Sequence, residues 1–233
     1  MPISSRFLVV LACLAALSML LGQYFIWFYA PEELTMGVVQ KIFYLHLPLA
    51  WWAFMAFLGV FVASVMVLWT KNEKWDLWAG VLAEVGVLFC GLALVTGSIW
   101  GRASWNTWWT WDPRLSTTLV MWFVYAGYLL LRGAGVGGVK GATIRAVLGI
   151  VAFLDVPLVF LSARLWRSIH PTVFAAQGGG LEPEMWVTVW VNAVAWGVLF
   201  IVLAVARIHN QTLAHRIDYI LARFRDTTLQ HKE

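Results

Sequence analysis

Six apolar runs separated by short polar interruptions take up most of the chain, near residues 6–28, 47–69, 76–98, 114–131, 143–163 and 184–206. A bilayer-spanning helix needs about 20 such residues, so each run is a candidate span. The short links at 70–75 and 132–142 predict antiparallel neighbours packed in one bundle. Little chain is left over for a separate soluble domain. The predicted fold is therefore all-α, a polytopic six-helix membrane bundle over residues 1–206. The first run follows Met-Pro-Ile-Ser-Ser-Arg, which superficially resembles a signal peptide. Its apolar stretch reaches Trp27 and Phe28, longer than the roughly 7–15 residues of a signal core, and predicts a retained helix.

The pattern changes at 207–233. Leu213, Ile217, Ile220, Leu221 and Phe224 recur at helical spacing, with Arg216, Arg223 and Arg225 between them. Such a short amphipathic, basic helix suits a membrane surface or a partner, and the surface is the simpler reading.

Composition agrees with this outline. Hydrophobic residues make up 61% of the chain and charged ones 12%, far from the balance of a soluble domain. The formal charge of +4 gives no case for nucleic-acid binding. The placement of that charge says more. With a cytoplasmic N-terminus, that side holds Arg6, Lys71, Lys74, Arg132, Lys140, Arg145 and every basic residue from Arg207 onward, eleven in all. The other side holds Lys41, Arg102, Arg114, Arg164 and Arg167, five in all. The positive-inside bias then puts both termini in the cytoplasm. Segments 29–46, 98–116 and 164–183 face outside. Cys13 and Cys90 lie inside predicted spans, with no Cys-x-x-Cys and no Cys-x-x-Cys-His, so they read as small hydrophobes. There is no internal repeat, and the glycine-rich 133–141 and 178–180 segments read as turns without a phosphate-loop pattern.

The candidate chemistry gathers on the outer side. Between Trp100 and Asp112 stand five tryptophans, Trp100, Trp105, Trp108, Trp109 and Trp111, with Gly101 and Asn106 among them. An interfacial aromatic belt explains any single one of them about as well as a binding role does. Five in so short a stretch fit a belt poorly and suit a platform for a planar ligand. On a trial helix Trp105, Trp108 and Trp109 share one face, while Trp100 and Trp111 point the other way. Asp112-Pro113 suits the cap and first turn of the fourth helix, a role that alone could explain Asp112. His46 and His170 fall in separate outer loops, whereas His209, His215 and His231 sit in the tail. Imidazole is a standard axial ligand of haem iron, although a lone interfacial histidine is more often a hydrogen-bonding loop residue. A structural zinc site would want four protein ligands, and the outer side supplies no further Cys or His. A porphyrin matches the set: tryptophans for the disc, His46 and His170 for the iron, and Arg102, Arg114, Arg164 or Arg167 for the propionates. Lipid headgroups or helix ends explain each of these arginines separately at least as well. Within the spans, Glu84 and Asp155 are costly carboxylates that call for partners in the bundle or mark a polar path.

Trp-Gly-x-x-x-Trp-x-x-x-Trp-x-Trp-Asp-x-Arg-Leu-Ser, from Trp100 to Ser116, resembles the tryptophan-rich "WWD" motif of haem-handling proteins in cytochrome c biogenesis. The length, the six spans, Tyr-Leu-His-Leu-Pro around His46 and Trp-Arg-Ser-Ile-His-Pro around His170 resemble the CcmC family in particular. Ser116 departs from a common threonine but keeps the hydroxyl, and the tail falls outside the resemblance. The resemblance implies a bacterial inner-membrane protein that holds haem b (iron protoporphyrin IX) non-covalently at the periplasmic face. It implies delivery to the haem chaperone CcmE, which binds haem covalently through its own histidine, in a complex with CcmA, CcmB and CcmD. It also implies His46 and His170 as axial ligands, and Trp100, Trp105, Trp109, Trp111 and Asp112 as the haem platform, with a weaker role for Trp108. Such a protein is a binding and transfer component rather than an enzyme, with a part in haem export and in promoting covalent attachment to its partner.

Two other classes remain open at this stage. A b-type electron-transfer subunit would need histidine pairs at membrane depth, whereas here both lie at helix ends. A solute permease would stack its substrate on the tryptophans and draw on Glu84 and Asp155.

Overall fold

The computed structural model describes residues 4–135, 137–166 and 181–230. Helix α1 spans Ser5–Tyr24, with the Ser4 hydroxyl accepting from the Phe7 N–H, and runs on through a π turn at Phe25–Tyr29. A 3-10 turn at Val38–Ile42 leads into α2, Phe43–Thr70. Lys71 then adopts a left-handed conformation (φ 55°), and Asn72 caps α3 by accepting from the Lys74 N–H at 3.0 Å. So tight a connection forces α2 and α3 into an antiparallel pair, which forms the centre of the molecule. In that pair α3 is Glu73–Trp105; around it stand α4, Pro113–Gly133; α5, Gly138–Ala152; α6, Asp155–Leu165; and α7, Pro183–Gln230. Six helical stretches are long and apolar enough to cross a membrane, α5 and α6 together making the fifth.

The core is aromatic and small-residue in character. Phe57 stacks on Tyr125 at 3.8 Å and 11°, and Phe89 meets Trp196 and Phe200 edge-on. Leu14, Leu17, Leu20 and Leu21 of α1 stay exposed, as lipid-facing side chains must. Lipid leaves little hydrophobic drive between helices, so close packing depends on small residues at the crossings. At the α1–α7 crossing a Cβ on Gly22 would lie 2.7 Å from the Asn192 oxygen, and Asn192 Nδ2 donates to the Gly22 carbonyl at 3.4 Å.

The end of the bundle away from the tryptophans is tied by a buried ion cluster. Asp76 of α3 receives Arg132 of α4 at 3.1 Å and both Nε (3.0 Å) and Nη2 (2.9 Å) of Arg145 of α5. Gly80 makes this possible, because a Cβ there would collide with the Arg132 guanidinium.

Four boundaries differ from the sequence reading. The third helix does not stop near 98 but continues to Trp105, because nothing breaks it before Asn106 turns left-handed (φ 57°). The second begins at Phe43, so His46 sits on its first turn rather than in a loop. The fifth apolar run is two helices, interrupted at 153–154. Finally, residues from Arg207 onward are helical as expected but continue α7 without a break. That continuation explains Glu84: it receives Arg207 Nη2 at 3.0 Å and Gln211 Nε2 at 3.4 Å, both from the segment assigned to the tail.

Candidate haem-binding site

The site is built where α2 begins and α3 ends. His46 on α2 turns its ring toward α3, with Nδ1 3.0 Å from the Ala93 carbonyl oxygen and 3.2 Å from Thr96 Oγ1. A carbonyl only accepts, so Nδ1 carries the hydrogen and the lone pair lies on Nε2. Thr96 is itself held in place, its hydroxyl donating to the Leu92 carbonyl at 2.8 Å. Gly97 supplies the space, since a Cβ there would stand 2.9 Å from His46 Cε1.

Trp100, one turn beyond Thr96, lies under this ring at 6.1 Å between centroids. It is buried (3% exposed) between Phe43 at 5.9 Å and Trp105 at 5.8 Å. Trp100 and Trp105 therefore meet, contrary to the trial helix that put them on opposite faces. Both lie on α3, and their large rings reach one another at 5.8 Å across the register; Trp108 and Trp109 lie beyond the helix end at Trp105 and follow no helical register. They belong to the turn 106–112, where Ser98 Oγ donates to the Trp108 carbonyl at 2.6 Å and Thr107 Oγ1 to the Trp109 carbonyl at 3.0 Å.

His46, Gly97, Trp100, Gly101, Trp105, Trp108 and Trp109 line one open cleft, joined by Thr107, Thr110 and Leu115. Trp105 is 40% and Trp108 61% exposed, so the cleft has a buried indole floor and exposed indole walls. Inside it the Trp109 N–H and the Thr110 hydroxyl are buried and form no hydrogen bond among the described residues. Trp111 meets Trp109 edge-on at 6.1 Å and is itself 79% exposed, outside the cleft lining. Asp112 is buried and spends Oδ1 on the Arg114 N–H at 2.9 Å, capping α4 with Pro113 at its first position, as the sequence indicated.

The arginines divide. Arg102 Nη1 donates to the Asn106 carbonyl at 2.7 Å, and its guanidinium sits 6.0 Å over the Trp108 ring, so it braces the turn. Arg114 lies on the first turn of α4, half-buried. His170 and Arg167 fall outside the described residues, as does the Arg164 side chain. Three contributors escaped the sequence reading: Ala93 and Thr96 as partners of His46, and Gly97 as its clearance. Their spacing, one helical turn (Thr96, Gly97) and two (Ala93) before Trp100, was the available signal. Outside the cleft lining, Lys41 is buried at the same end, with Nζ donating to the Trp27 carbonyl at 3.3 Å and lying 5.5 Å over its ring.

A family profile described as "Heme exporter protein C" matches residues 1–223. The chain belongs to that family. Several members can be compared with it directly. Heme exporter protein C of Bradyrhizobium diazoefficiens is 32% identical over 190 residues, 81% of this chain and 72% of that protein. The Rhodobacter capsulatus protein of the same name is 28% identical over 228 residues, covering 97% of this chain and 94% of its own length. The Escherichia coli (strain K12) protein is 32% identical over 142 residues, 61% of this chain and 58% of its own length. The heme exporter protein C fold, in this chain, thus carries the indole-lined cleft with one oriented histidine at its edge.

Proposed function

We propose that this chain binds haem b non-covalently at the periplasmic face of the bacterial inner membrane and hands it to the chaperone CcmE during cytochrome c maturation. The observation that carries this reading is the 3.0 Å contact of His46 Nδ1 with the Ala93 carbonyl. That carbonyl assigns the hydrogen to Nδ1 and the lone pair to Nε2, on a residue lining an indole cleft. Backbone or carboxylate orientation of the distal ring nitrogen is the usual way a ligating imidazole is held. In this reading His46 and His170 take the two axial positions. Trp100, Trp105, Trp108 and Trp109 support the disc, with Trp111 at its rim. Asp112 holds the loop in shape by capping α4. Propionates are met by Arg102, Arg114, Arg164 or Arg167. The bound haem supplies the reactive vinyl chemistry, while the protein supplies ligation and orientation. In the same reading the chain works with CcmA, CcmB and CcmD, with the termini in the cytoplasm where the basic residues concentrate.

An absorption spectrum of the detergent-solubilised protein tests this, alongside His46→Ala and His170→Ala at matched expression. The expected result is a low-spin six-coordinate haem in the parent, with haem loss or a change of spin state in both variants. Identical spectra in all three proteins would remove the ligand assignment. The permease alternative loses one of its supports, because Glu84 is occupied by Arg207 and Gln211.

A further inference from the structure

Indole faces and one axial nitrogen fix where a flat disc lies, but not how it is turned in its own plane. Stacking on Trp100 and Trp105 is nearly indifferent to such a turn, and a bond to His46 Nε2 is an axis about which the disc can rotate. In-plane orientation has to come from a few polar groups that meet the edge of the disc.

Most polar groups around the cleft are already engaged. His46 Nδ1 lies against the Ala93 carbonyl, and Thr107 Oγ1 donates to the Trp109 carbonyl at 3.0 Å. Ser98 Oγ donates to the Trp108 carbonyl at 2.6 Å, and Arg102 Nη1 to the Asn106 carbonyl at 2.7 Å. The turn 106–112 is thus braced through its backbone carbonyls. Two side-chain donors in it stand apart. The Trp109 indole N–H and the Thr110 hydroxyl are buried, belong to neighbouring residues that both line the cleft, and have no hydrogen-bond partner among the described residues. A buried donor left unpaired is costly, so two in succession on one wall require an explanation. An indole N–H only donates, so whatever satisfies it must be an acceptor.

We infer that Trp109 Nε1 and Thr110 Oγ1 are donors for an ionised carboxylate at the edge of a planar ligand, and that they set its rotation in the cleft. This rests on the haem-binding reading above, in which the carboxylate is a propionate. Hydrogen bonds to an ionised acceptor are roughly twice as strong as neutral ones. Both donors are neutral, so the wall of the cleft can receive a carboxylate without a second buried charge to desolvate. The remaining lining is indole and aliphatic, apart from Thr107 and His46, so a ligand edge without an acceptor finds no reason to face this wall.

Titration of the detergent-solubilised full chain with two iron porphyrins tests the assignment. Iron protoporphyrin IX carries two propionates, whereas iron etioporphyrin has alkyl groups all round its edge. The measured quantity is the ratio of the two affinities on each protein, from which a general loss of packing, or unequal uptake of the porphyrins by the micelle, drops out when variants are compared with the parent. Thr110→Val removes the hydroxyl at nearly constant shape, and Trp109→Phe removes the N–H. Each should lower the preference for the propionate-bearing porphyrin about tenfold, the usual worth of one hydrogen bond to a charged group. Thr110→Ser should keep it. If Trp109→Phe binds neither porphyrin, Thr110→Val alone decides. A ratio in Thr110→Val equal to that of the parent would overturn the assignment and leave haem binding itself standing. A parent that binds neither porphyrin would overturn both.

Discussion

At the scale of single residues, the site depends on how one imidazole is held. The Ala93 carbonyl and Thr96 hydroxyl fix the tautomer, and Gly97 leaves room for the ring 2.9 Å from where a Cβ would stand. Gly97→Ala is therefore expected to tilt His46 and weaken haem binding by roughly 10- to 100-fold, the usual effect of disturbing a ligand's outer support. Haem titration followed by absorbance measures this, with helix content as the control. Asp112 gives a second contrast. Its carboxylate oxygen caps α4 through the Arg114 N–H, a role asparagine can also fill. Asp112→Asn should leave thermal stability in detergent nearly unchanged, while Asp112→Ala should cost about 1 kcal/mol. A large loss of haem in the asparagine variant at full stability would show that the charge matters beyond the cap. Asp112-Pro113 was legible as a cap because the signal is local. The partners of His46 were not, since Ala93 lies 47 residues away and reaches it only through the α2–α3 pairing.

At the scale of elements, the bundle is joined by polar anchors at helix crossings. Asp76 binds α4 and α5 to α3 through three guanidinium N–H contacts. Removing one side of a buried ion pair typically costs about 3–5 kcal/mol, because the remaining charge stays in a poor dielectric. Asp76→Ala should thus be among the most destabilising single changes in the protein, visible as a large drop in unfolding temperature. Gly80→Ala should act through the same cluster by displacing Arg132, without altering any charge. The period and length of the apolar runs announced these helices correctly, but their ends proved harder. Phe43, Trp105 and the interruption at 153–154 mark boundaries set by turn conformation and packing, to which apolarity is blind. The trial helix through Trp108 and Trp109 failed for the same reason, since one left-handed residue at Asn106 ended the register.

At the scale of the whole molecule, six crossings require both termini on one side of the membrane. The excess of basic residues predicts the cytoplasm as that side. A fluorescent protein fused after Glu233 should be bright, and alkaline phosphatase inserted in the turn 106–112 should be active. The reverse pair of results would invert the orientation and place the indole cleft on the cytoplasmic side. Helix α7 adds a feature at this scale. Its 48 residues extend about 72 Å at 1.5 Å per residue, more than twice the hydrocarbon thickness. The segment after residue 206 therefore extends a membrane helix instead of forming a detached one.

Residue types and spacing alone determined the number of spans, the helical class and the clustering of indoles with His46 at one end, and the motif from Trp100 to Ser116 carried the resemblance to the family. Those properties rest on apolar length, charge asymmetry and local motifs, each contained within a few turns of chain. Only the tertiary structure decided which nitrogen of His46 carries its hydrogen, which tryptophans form a floor and which stay exposed. It also decided that Glu84 is paired with Arg207 and Gln211. Each of these depends on groups tens of residues apart brought within a few ångströms, and helix-to-helix registry of that kind leaves no periodic trace in a single sequence.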